Sequence, residues 1–339
     1  MNTHSPDGIG GPIFIVGLAR SGTKLLRDIL NNHPELFLLP SETNFIPYFV
    51  ARFGSIESPL GEPERQHFKS HFFSGSFHSG MTERGYETSE AVLEAALREP
   101  TWERVFTTLA LSYLDDAAPA PRFWGDKTPT HLPHLQMLKR EFPDGRFIHI
   151  IRDPRDRALS ARKAWGANVL LAAEKRRTQV EQARATGLEL GADYCEITYE
   201  SLLEAPAREV SRLCGFLGLP FAEEMLTLRR PTENKRRENT ETTSALGIVA
   251  DNTRKFATQL DAREIARIER IVLPVATDLG YQMTTDPDRF QPLSKTETRF
   301  YGALETLQFL REFYRRWGLL KGARHAFERV AMKRANRTS

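Results

Sequence analysis

Residues 13 to 24 read Ile13-Phe14-Ile15-Val16-Gly17-Leu18-Ala19-Arg20-Ser21-Gly22-Thr23-Lys24. The first four are apolar and rich in β-branched side chains, as in a strand covered on both faces of a parallel sheet. Gly17 ends it. From Ser21 to Asn32, Leu25, Leu26, Ile29 and Leu30 recur at helical spacing, and His33-Pro34 stops the helix. A loop between a strand end and a helix start gathers backbone N–H groups at the positive end of the helix dipole, which suits an anionic phosphate. Arg20 adds a cation, Ser21 and Thr23 add hydroxyls, and Gly22 lets the backbone approach closely.

The spacing nearly spells the nucleoside-triphosphate loop G-x-x-x-x-G-K-[ST], but Thr23 precedes Lys24 instead of following a lysine. The inversion turns Lys24 to another side of the helix and leaves Arg20 as the cation that reaches the loop's mouth.

Further along, Leu36 to Leu39 is a second short strand. Residues 54–87 hold few aliphatics and many Gly, Ser, His and Phe, and read as a long loop or mobile cap. Ser89 opens a helix to about Leu97, and Thr101 to Asp116 is another, with Val105, Leu109 and Tyr113 on one face. Arg122-Phe123-Trp124-Gly125 is a weak strand leading into Asp126-Lys127-Thr128-Pro129. Pro133 to Phe142 is helical. Arg146-Phe147-Ile148-His149-Ile150-Ile151 is the strongest strand in the chain, and a helix follows from about Pro154. Tyr194 to Thr198 is a strand, Pro206 to Leu217 a helix closed by Gly218, and 230–258 a polar, turn-rich stretch. Asp261 to Leu279 is helical, with Ile265, Ile268, Ile271 and Val272 inward and Pro274 as a kink or division. Strands alternating with helices predict a three-layer α/β fold, a central parallel sheet flanked by helices over residues 12–283, then a helical, basic C-terminal extension over 284–339, and with the near-triphosphate loop of residues 17–24 the arrangement resembles a P-loop NTPase-like fold.

A second charged cluster follows the strongest strand. Arg152 stands at the carboxyl end of a parallel strand, where open α/β sheets bind ligands, and Ser160 lies about two helical turns on. An arginine fork with a hydroxyl suits a terminal phosphate. The plainer alternative is a charged helix start in which Asp153 and Asp156 pair with Arg155 and Arg157. Two phosphate sites on neighbouring strand ends imply a ligand with phosphates at both ends of a nucleoside.

The bulk composition fits a globular protein: 339 residues, 40% hydrophobic and 27% charged. No apolar run reaches the roughly 18–20 residues of a membrane span, and the N-terminus lacks the pattern of a secretion signal. Cys195 and Cys214 are too few for a disulfide framework and read as buried free thiols, so a cytoplasmic location is expected. The net charge of +3 is uneven, for residues 311–339 carry nine Lys/Arg against two acids. In that tail Leu307, Leu310, Phe313, Tyr314 and Trp317 form one apolar stripe, and Lys321, Arg324, Arg329, Lys333 and Arg334 follow. A helix packed on the domain with a solvated basic end is the preferred reading; peripheral contact with a membrane or another anionic surface is the alternative. No nucleic-acid-binding module surrounds the charge, and nothing in the sequence fixes an oligomeric state.

The two phosphate-binding clusters, in this order and strand context, resemble the family of sulfotransferases that use 3′-phosphoadenosine 5′-phosphosulfate (PAPS). Residues 17–23 resemble its 5′-phosphosulfate loop, and Phe147 to Ser160, FIHIIRDPRDRALS, its 3′-phosphate segment. Tyr199-Glu200-Ser201-Leu202 with Phe216 to Pro220 is similar to a third stretch, whose tyrosine lies near the adenine. Asn252 to Phe256 is similar to a late basic segment that closes over the nucleotide. The resemblance implies that Arg20, Ser21, Gly22, Thr23 and Lys24 hold the 5′-phosphosulfate, that Arg152 and Ser160 hold the 3′-phosphate, and that Tyr199 and Lys255 complete the pocket. Lys24 and Leu25 depart from it, for many members carry a second Thr and then a Trp there.

The implied reaction passes a sulfuryl group from PAPS to an acceptor hydroxyl on a carbohydrate, a lipid-linked glycan, a small alcohol or a tyrosine, and releases PAP. Like phosphoryl transfer it is mostly positioning and electrostatics. Arg20 and Lys127 are the candidate cations, and no metal is expected because the transferred group carries less charge than a phosphoryl. For the base, the stretch Pro40 to Pro47 resembles the protein-tyrosine branch of the family, in which the glutamate at Glu42 removes the proton. Otherwise Glu42 caps the following helix or pairs with a surface lysine. Where the small-molecule branch has a histidine base, this chain has Pro129, leaving His131 and His134 in reserve. His67 and His71, four apart, would suit a metal on a helix, but the segment reads as a lid whose apolar face is Phe72, Phe73 and Phe77. The rival functions are a nucleoside-triphosphate-dependent kinase using Asp153 as metal-binding acid and a catalytically inactive nucleotide-binding homologue.

Overall fold

The computed structural model describes residues 9–114, 119–227, 243–244, 247–248 and 252–317. Five strands form one parallel sheet: β1 (Gly10–Val16), β2 (Leu36–Leu38), β3 (Phe123–Lys127), β4 (Arg146–Ile151) and β5 (Tyr194–Thr198), in the order β2-β3-β1-β4-β5. Helices α1 (Thr23–Leu30), α2 (Ile46–Phe53), α3 (Glu62–Ser74), α4 (Ser76–Thr82), α5 (Glu90–Ala96), α6 (Trp102–Leu111) and α7 (Leu135–Glu141) come before β4. After it come α8 (Pro154–Trp165), α9 (Val169–Glu189), α10 (Tyr199–Glu204), α11 (Pro206–Leu217), α12 (Phe256–Gln259), α13 (Ala262–Asp278) and α14 (Lys295–Trp317). A short antiparallel pair joins β6 (Thr243–Ser244) to β7 (Gly247–Ile248). The chain divides into two compact units, residues 1–151 with 182–252, and residues 152–181 with 253–339.

In the first unit the sheet carries the core. Ile13, Phe14, Ile15 and Val16 are fully buried, and Ile13, Ile15, Ile148, Ile150 and Ile197 pack with Leu26, Ile29 and Leu30 of α1 and Val210, Leu213 and Leu217 of α11. Pro206 at the first turn of α11 and Gly218 in a left-handed C-cap bound that helix as the sequence predicts. β1 begins at Gly10 rather than Ile13, because Gly10 N donates to Arg122 O at 2.7 Å and extends the pairing with β3. β3 is the larger surprise: weak by composition, it sits between β2 and β1 with all five residues buried. Cys195 and Cys214 are both free; Cys214 is buried, and Cys195 is half-buried with Arg212 Nη1 3.1 Å from its sulfur.

The expected loop over 54–87 contains two helices, α3 and α4. Its core is aromatic rather than aliphatic: Phe68, Phe72, Phe77 and Met81 are buried, and Phe49 of α2 stacks on Phe68 with ring centroids 4.0 Å apart. Of the three rings offered as a lid face, Phe72 and Phe77 belong to this core and Phe73 alone is exposed. His67 and His71 stand one turn apart on α3, with Tyr48 hydrogen-bonded to His67 at 2.9 Å and stacked on His71 at 4.7 Å.

In the second unit, α13 starts with a reciprocal capping box between Asp261 and Glu264 and continues through Pro274 without dividing. Ile268, Ile271 and Val272 are buried, while Ile265 is half-buried. The first stretch of the tail is α14. The basic residues Lys321, Arg324, Arg329, Lys333 and Arg334, and the side chains of Leu310, Phe313, Tyr314 and Trp317, lie outside the described residues. No described helix is long and apolar enough to cross a membrane.

Candidate active site

Strands β1, β2 and β3 run parallel, so their carboxyl ends share one edge of the sheet. At the end of β1 the chain turns sharply: Gly17 has φ +149°, Arg20 +75° and Gly22 +94°. Left-handed backbone at a non-glycine residue costs about 1–3 kcal/mol, and at Arg20 the turn imposes it. A Cβ on Gly22 would lie 2.3 Å from Cδ2 of Tyr199, and one on Gly17 would lie 2.4 Å from the Ile150 carbonyl oxygen. Only glycine fits at either position. Ser21 is fully buried, and its Oγ has no hydrogen-bonding partner among the described residues. Thr23 opens α1 from a buried position; Arg20 and Lys24 are half-buried. Tyr199 is placed by the N-cap of α10, where Thr198 Oγ1 accepts from Ser201 N at 3.1 Å, and its hydroxyl accepts from Asn252 Nδ2 at 2.9 Å.

At the ends of β2 and β3 the carboxylate of Glu42 accepts from the ammonium of Lys127. Lys127 is in register with Ile15 of β1, two residues before Gly17. The two partners differ in exposure, 8% for the lysine side chain and 39% for the glutamate, so the cation is sunk in the protein and the carboxylate faces out. Glu42 does not cap α2, whose N-cap residue is Phe45.

A buried clamp fixes the peptide next to Glu42. Thr43 N donates to Thr128 Oγ1 at 2.9 Å and to Asp126 Oδ1 at 3.3 Å, and Thr128 Oγ1 donates to Asp126 Oδ1 at 3.0 Å. From the other side His131 Nε2 donates to Thr43 O at 3.1 Å, and its Nδ1 lies 3.2 Å from Asp126 Oδ2. Asp126, Thr128 and His131 are fully buried. His131, a reserve candidate for the base, therefore has both ring nitrogens turned to oxygens and no surface from which to take a substrate proton. Burial, with His131 nearby, lowers the pKa of the half-buried His134. A second brace is Arg27 of α1, buried, whose Nη1 donates to Pro40 O at 3.0 Å.

In the second unit the segment from Arg152 starts α8. Asp153 is its N-cap, accepting from Arg155 N at 2.8 Å, and it also takes Nε and Nη2 of Arg155 at 3.1 and 2.7 Å. Arg155 Nη1 donates to Glu269 of α13 at 2.7 Å. The other oxygen of Glu269 accepts from the backbone and hydroxyl groups of Thr284 and Thr285 at 2.8–2.9 Å. Burial alone would raise the Glu269 carboxyl; the hydrogen bonds from Thr284, Thr285 and Arg155 outweigh it and hold it below its ordinary value. Asp153 does pair with Arg155, but Asp156 turns instead to Phe256 N at 2.8 Å, and Arg157 to Ala172 O at 3.0 Å. Burial raises the pKa of Asp156 despite that hydrogen bond and nearby Arg152. Burial, with Arg176 close by, brings the pKa of Arg157 down to about 10. The tie from Asp156 to Phe256, together with the Arg155 guanidinium 4.0 Å over the Phe256 ring, holds Lys255 on the same unit as Arg152 and Ser160. Arg152 is buried; Ser160 and Lys255 are half-buried.

The structure thus gathers Arg20, Ser21, Gly22, Thr23, Lys24, Glu42, Lys127 and Tyr199 in the first unit, and Arg152, Ser160 and Lys255 in the second. The Thr43–Asp126–Thr128–His131 clamp and the bond from Asn252 to Tyr199 are not among the sequence expectations. The signal for the clamp, two polar residues flanking Lys127, was in plain view but pairs with a segment more than 80 residues away. Among the described residues no three His, Cys, Asp or Glu side chains converge as a metal site would require.

Residues 12–223 match the sequence profile of the sulfotransferase family. Protein-tyrosine sulfotransferase 2 of Gallus gallus is 27% identical over 222 residues, which make up 63% of this chain and 53% of that protein; the chain spans about half the length of the curated relatives it matches. The sulfotransferase domain from the curacin biosynthetic pathway superposes with a TM-score of 0.54 at 23% identity, over 81% of this chain and 99% of that one. The sulfotransferase domain of the Synechococcus PCC 7002 olefin synthase superposes with a TM-score of 0.55 at 19% identity, over 82% and 98%. At such identities the two structures speak for the fold, which they share with the five-stranded parallel sheet described above. The profile, which spans well over half of the sequence, decides the family: this chain belongs to the sulfotransferases.

Proposed function

We propose that the protein is an enzyme that moves a sulfuryl group from PAPS to an acceptor hydroxyl and releases PAP. The observation that carries this reading is the carboxyl edge of the sheet in the first unit, where the strained loop after β1 and the Glu42–Lys127 pair stand at neighbouring strand ends. The residues fit an anionic nucleotide. Ser21 Oγ is a buried hydroxyl without a hydrogen-bonding partner among the described residues, Arg20 and Lys24 bring charge, and left-handed backbone at 20 and 22 belongs to the kind of turn whose N–H groups bind anions. On this reading Arg20, Ser21, Gly22, Thr23 and Lys24 hold the 5′-phosphosulfate. Arg152, Ser160 and Lys255 hold the 3′-phosphate, and Tyr199 shapes the pocket through its contact with Gly22.

PAPS supplies an activated sulfuryl group on a phosphate leaving group. The chain supplies position and charge. Lys127 and Arg20 set cations where negative charge grows on the departing nucleotide, and being fixed beforehand they need no reorganisation. Glu42 takes the proton of the acceptor hydroxyl, and its exposed carboxylate can meet an acceptor arriving from solvent. Lys127 and the clamp on Thr43 keep that carboxylate in one orientation.

The kinase alternative needs a free acid for its metal, and Asp153 offers none: both its oxygens are committed to Arg155. A tyrosine-containing peptide is the first acceptor to try, on the strength of the relatives' names, with carbohydrates, lipid-linked glycans and small alcohols next. The test is transfer of labelled sulfate from PAPS to such peptides and to a fractionated host extract. Label in an acceptor with the native chain, and none with Glu42→Gln, supports the reading; equal labelling by both dismisses Glu42 as the base.

A further inference from the structure

Helix α14 has two unlike sides. On one, Glu297 binds Arg267 at 3.0 Å, and Glu305 accepts from Asn168 N at 2.8 Å and lies 3.8 Å from Lys175. Away from these contacts Phe300, Leu304 and Leu307 are 59, 38 and 62% exposed. Their spacing puts them on one stripe of the helix. The sequence favours a helix whose apolar side packs on the domain, and at these three positions the apolar side is uncovered. Leu310, Tyr314 and Trp317 continue the apolar pattern in the sequence, and residues 311–339 carry nine Lys/Arg against two acids.

An apolar stripe with aromatic members, running into a strongly basic segment, is the make-up of helices that lie in the headgroup layer of anionic bilayers. A nucleic acid would use the positive charge and leave the stripe in water. A second copy of the chain would bring two like-charged tails together at a two-fold axis. We propose that α14 and the basic residues after it dock this protein on the surface of an anionic lipid bilayer. The stripe enters the boundary between headgroups and acyl chains, and the cations face the lipid phosphates. The contact is peripheral. It is independent of the sulfuryl-transfer reading.

Vesicle flotation of the full-length chain tests it, using phosphatidylcholine vesicles with and without phosphatidylglycerol. The native chain is expected to float with the anionic vesicles only and to be released by high salt. The full-length Phe300→Ser/Leu307→Ser variant should lose about tenfold in bound fraction while keeping the native melting temperature, because both side chains are already exposed. Leu304→Ser, a milder change on the same stripe, should lose part of the binding and guards against misfolding of the double variant. Failure of the native chain to float with anionic vesicles overturns the proposal, as does flotation that the stripe variants leave unchanged. So does a native dimer in light scattering that the double variant dissociates, or RNA binding in place of vesicle binding.

Discussion

The Lys127 ammonium, almost sealed from solvent, donates to the Glu42 carboxylate, which is open to it. A buried ammonium without a partner is costly, so the glutamate stabilises the lysine and the lysine holds the glutamate. The pair also ties the end of β3 to the segment that follows its neighbour β2. If Glu42 is the base, Glu42→Gln keeps the shape and loses the proton acceptor. Turnover should fall about a hundredfold or more while PAP affinity holds, measured by single-turnover sulfate transfer and calorimetry. Near-native turnover would remove Glu42 from the chemistry.

Thr128 bridges the Thr43 amide and Asp126, and through them steadies Glu42. Thr128→Val keeps the volume and deletes the hydroxyl, leaving a buried N–H and a carboxylate short of a partner at a cost of about 1–3 kcal/mol. Its kcat should fall on the order of tenfold or more through misplacement of the base, with PAP affinity unchanged and Thr128→Ser restoring both rate and stability. Equal kcat in the Val and Ser variants would mean that the clamp does not act on catalysis.

The Gly22–Tyr199 contact gives a prediction about the loop. Gly22→Ala sets a Cβ 2.3 Å from the Tyr199 ring at a left-handed position. Relieving that overlap shifts either the loop or the ring. The melting temperature should drop by the equivalent of about 1–3 kcal/mol, and PAP should bind more weakly. A variant with native PAP affinity would separate this loop from the nucleotide.

Glu269 ties the second unit to pH. Its folded-state carboxyl titrates below the ordinary value of 4.5, so the stability it lends is complete above that value and is lost as pH falls through the folded-state pKa. Thermal melts of the native chain should therefore soften in acid below about pH 4.5. Glu269→Gln should start about 1–3 kcal/mol less stable at neutral pH, with Arg155 keeping Asp153 but losing one of its two buried carboxylates, and should lack this part of the acid dependence. A native chain and variant with parallel pH profiles would contradict the role given to the Arg155–Glu269 pair.

Most of the residues that touch ligands in the proposal follow strand ends, and strand ends are legible wherever the strand is long and aliphatic. Ile13 to Val16 and Phe147 to Ile151 are plain in the sequence, and with them the two segments proposed to bind phosphate. β3 was faint because Trp124, Gly125 and Asp126 follow no period, yet its neighbours on both sides bury all of it. α3 and α4 were hidden for a related reason: their buried positions are phenylalanines among histidines, serines and glycines, and ring stacking replaces aliphatic packing. α9 passed unread because its charged residues are spread around the helix and leave no apolar stripe to follow. Chemistry split the same way. Glu42 and Lys127 were visible as types; that they bind each other, and that His131 is buried in a clamp, depends on contacts that no local pattern encodes.

The most direct measurement is calorimetric titration of the purified chain with PAP, set beside ATP with Mg²⁺, and repeated with Arg152→Ala. The sulfotransferase reading predicts one PAP site, no comparable ATP site, and a loss of about 1.5–3 kcal/mol in PAP binding when the charged hydrogen bonds of Arg152 go. Tight ATP binding without PAP binding, or a PAP affinity indifferent to Arg152, would contradict it.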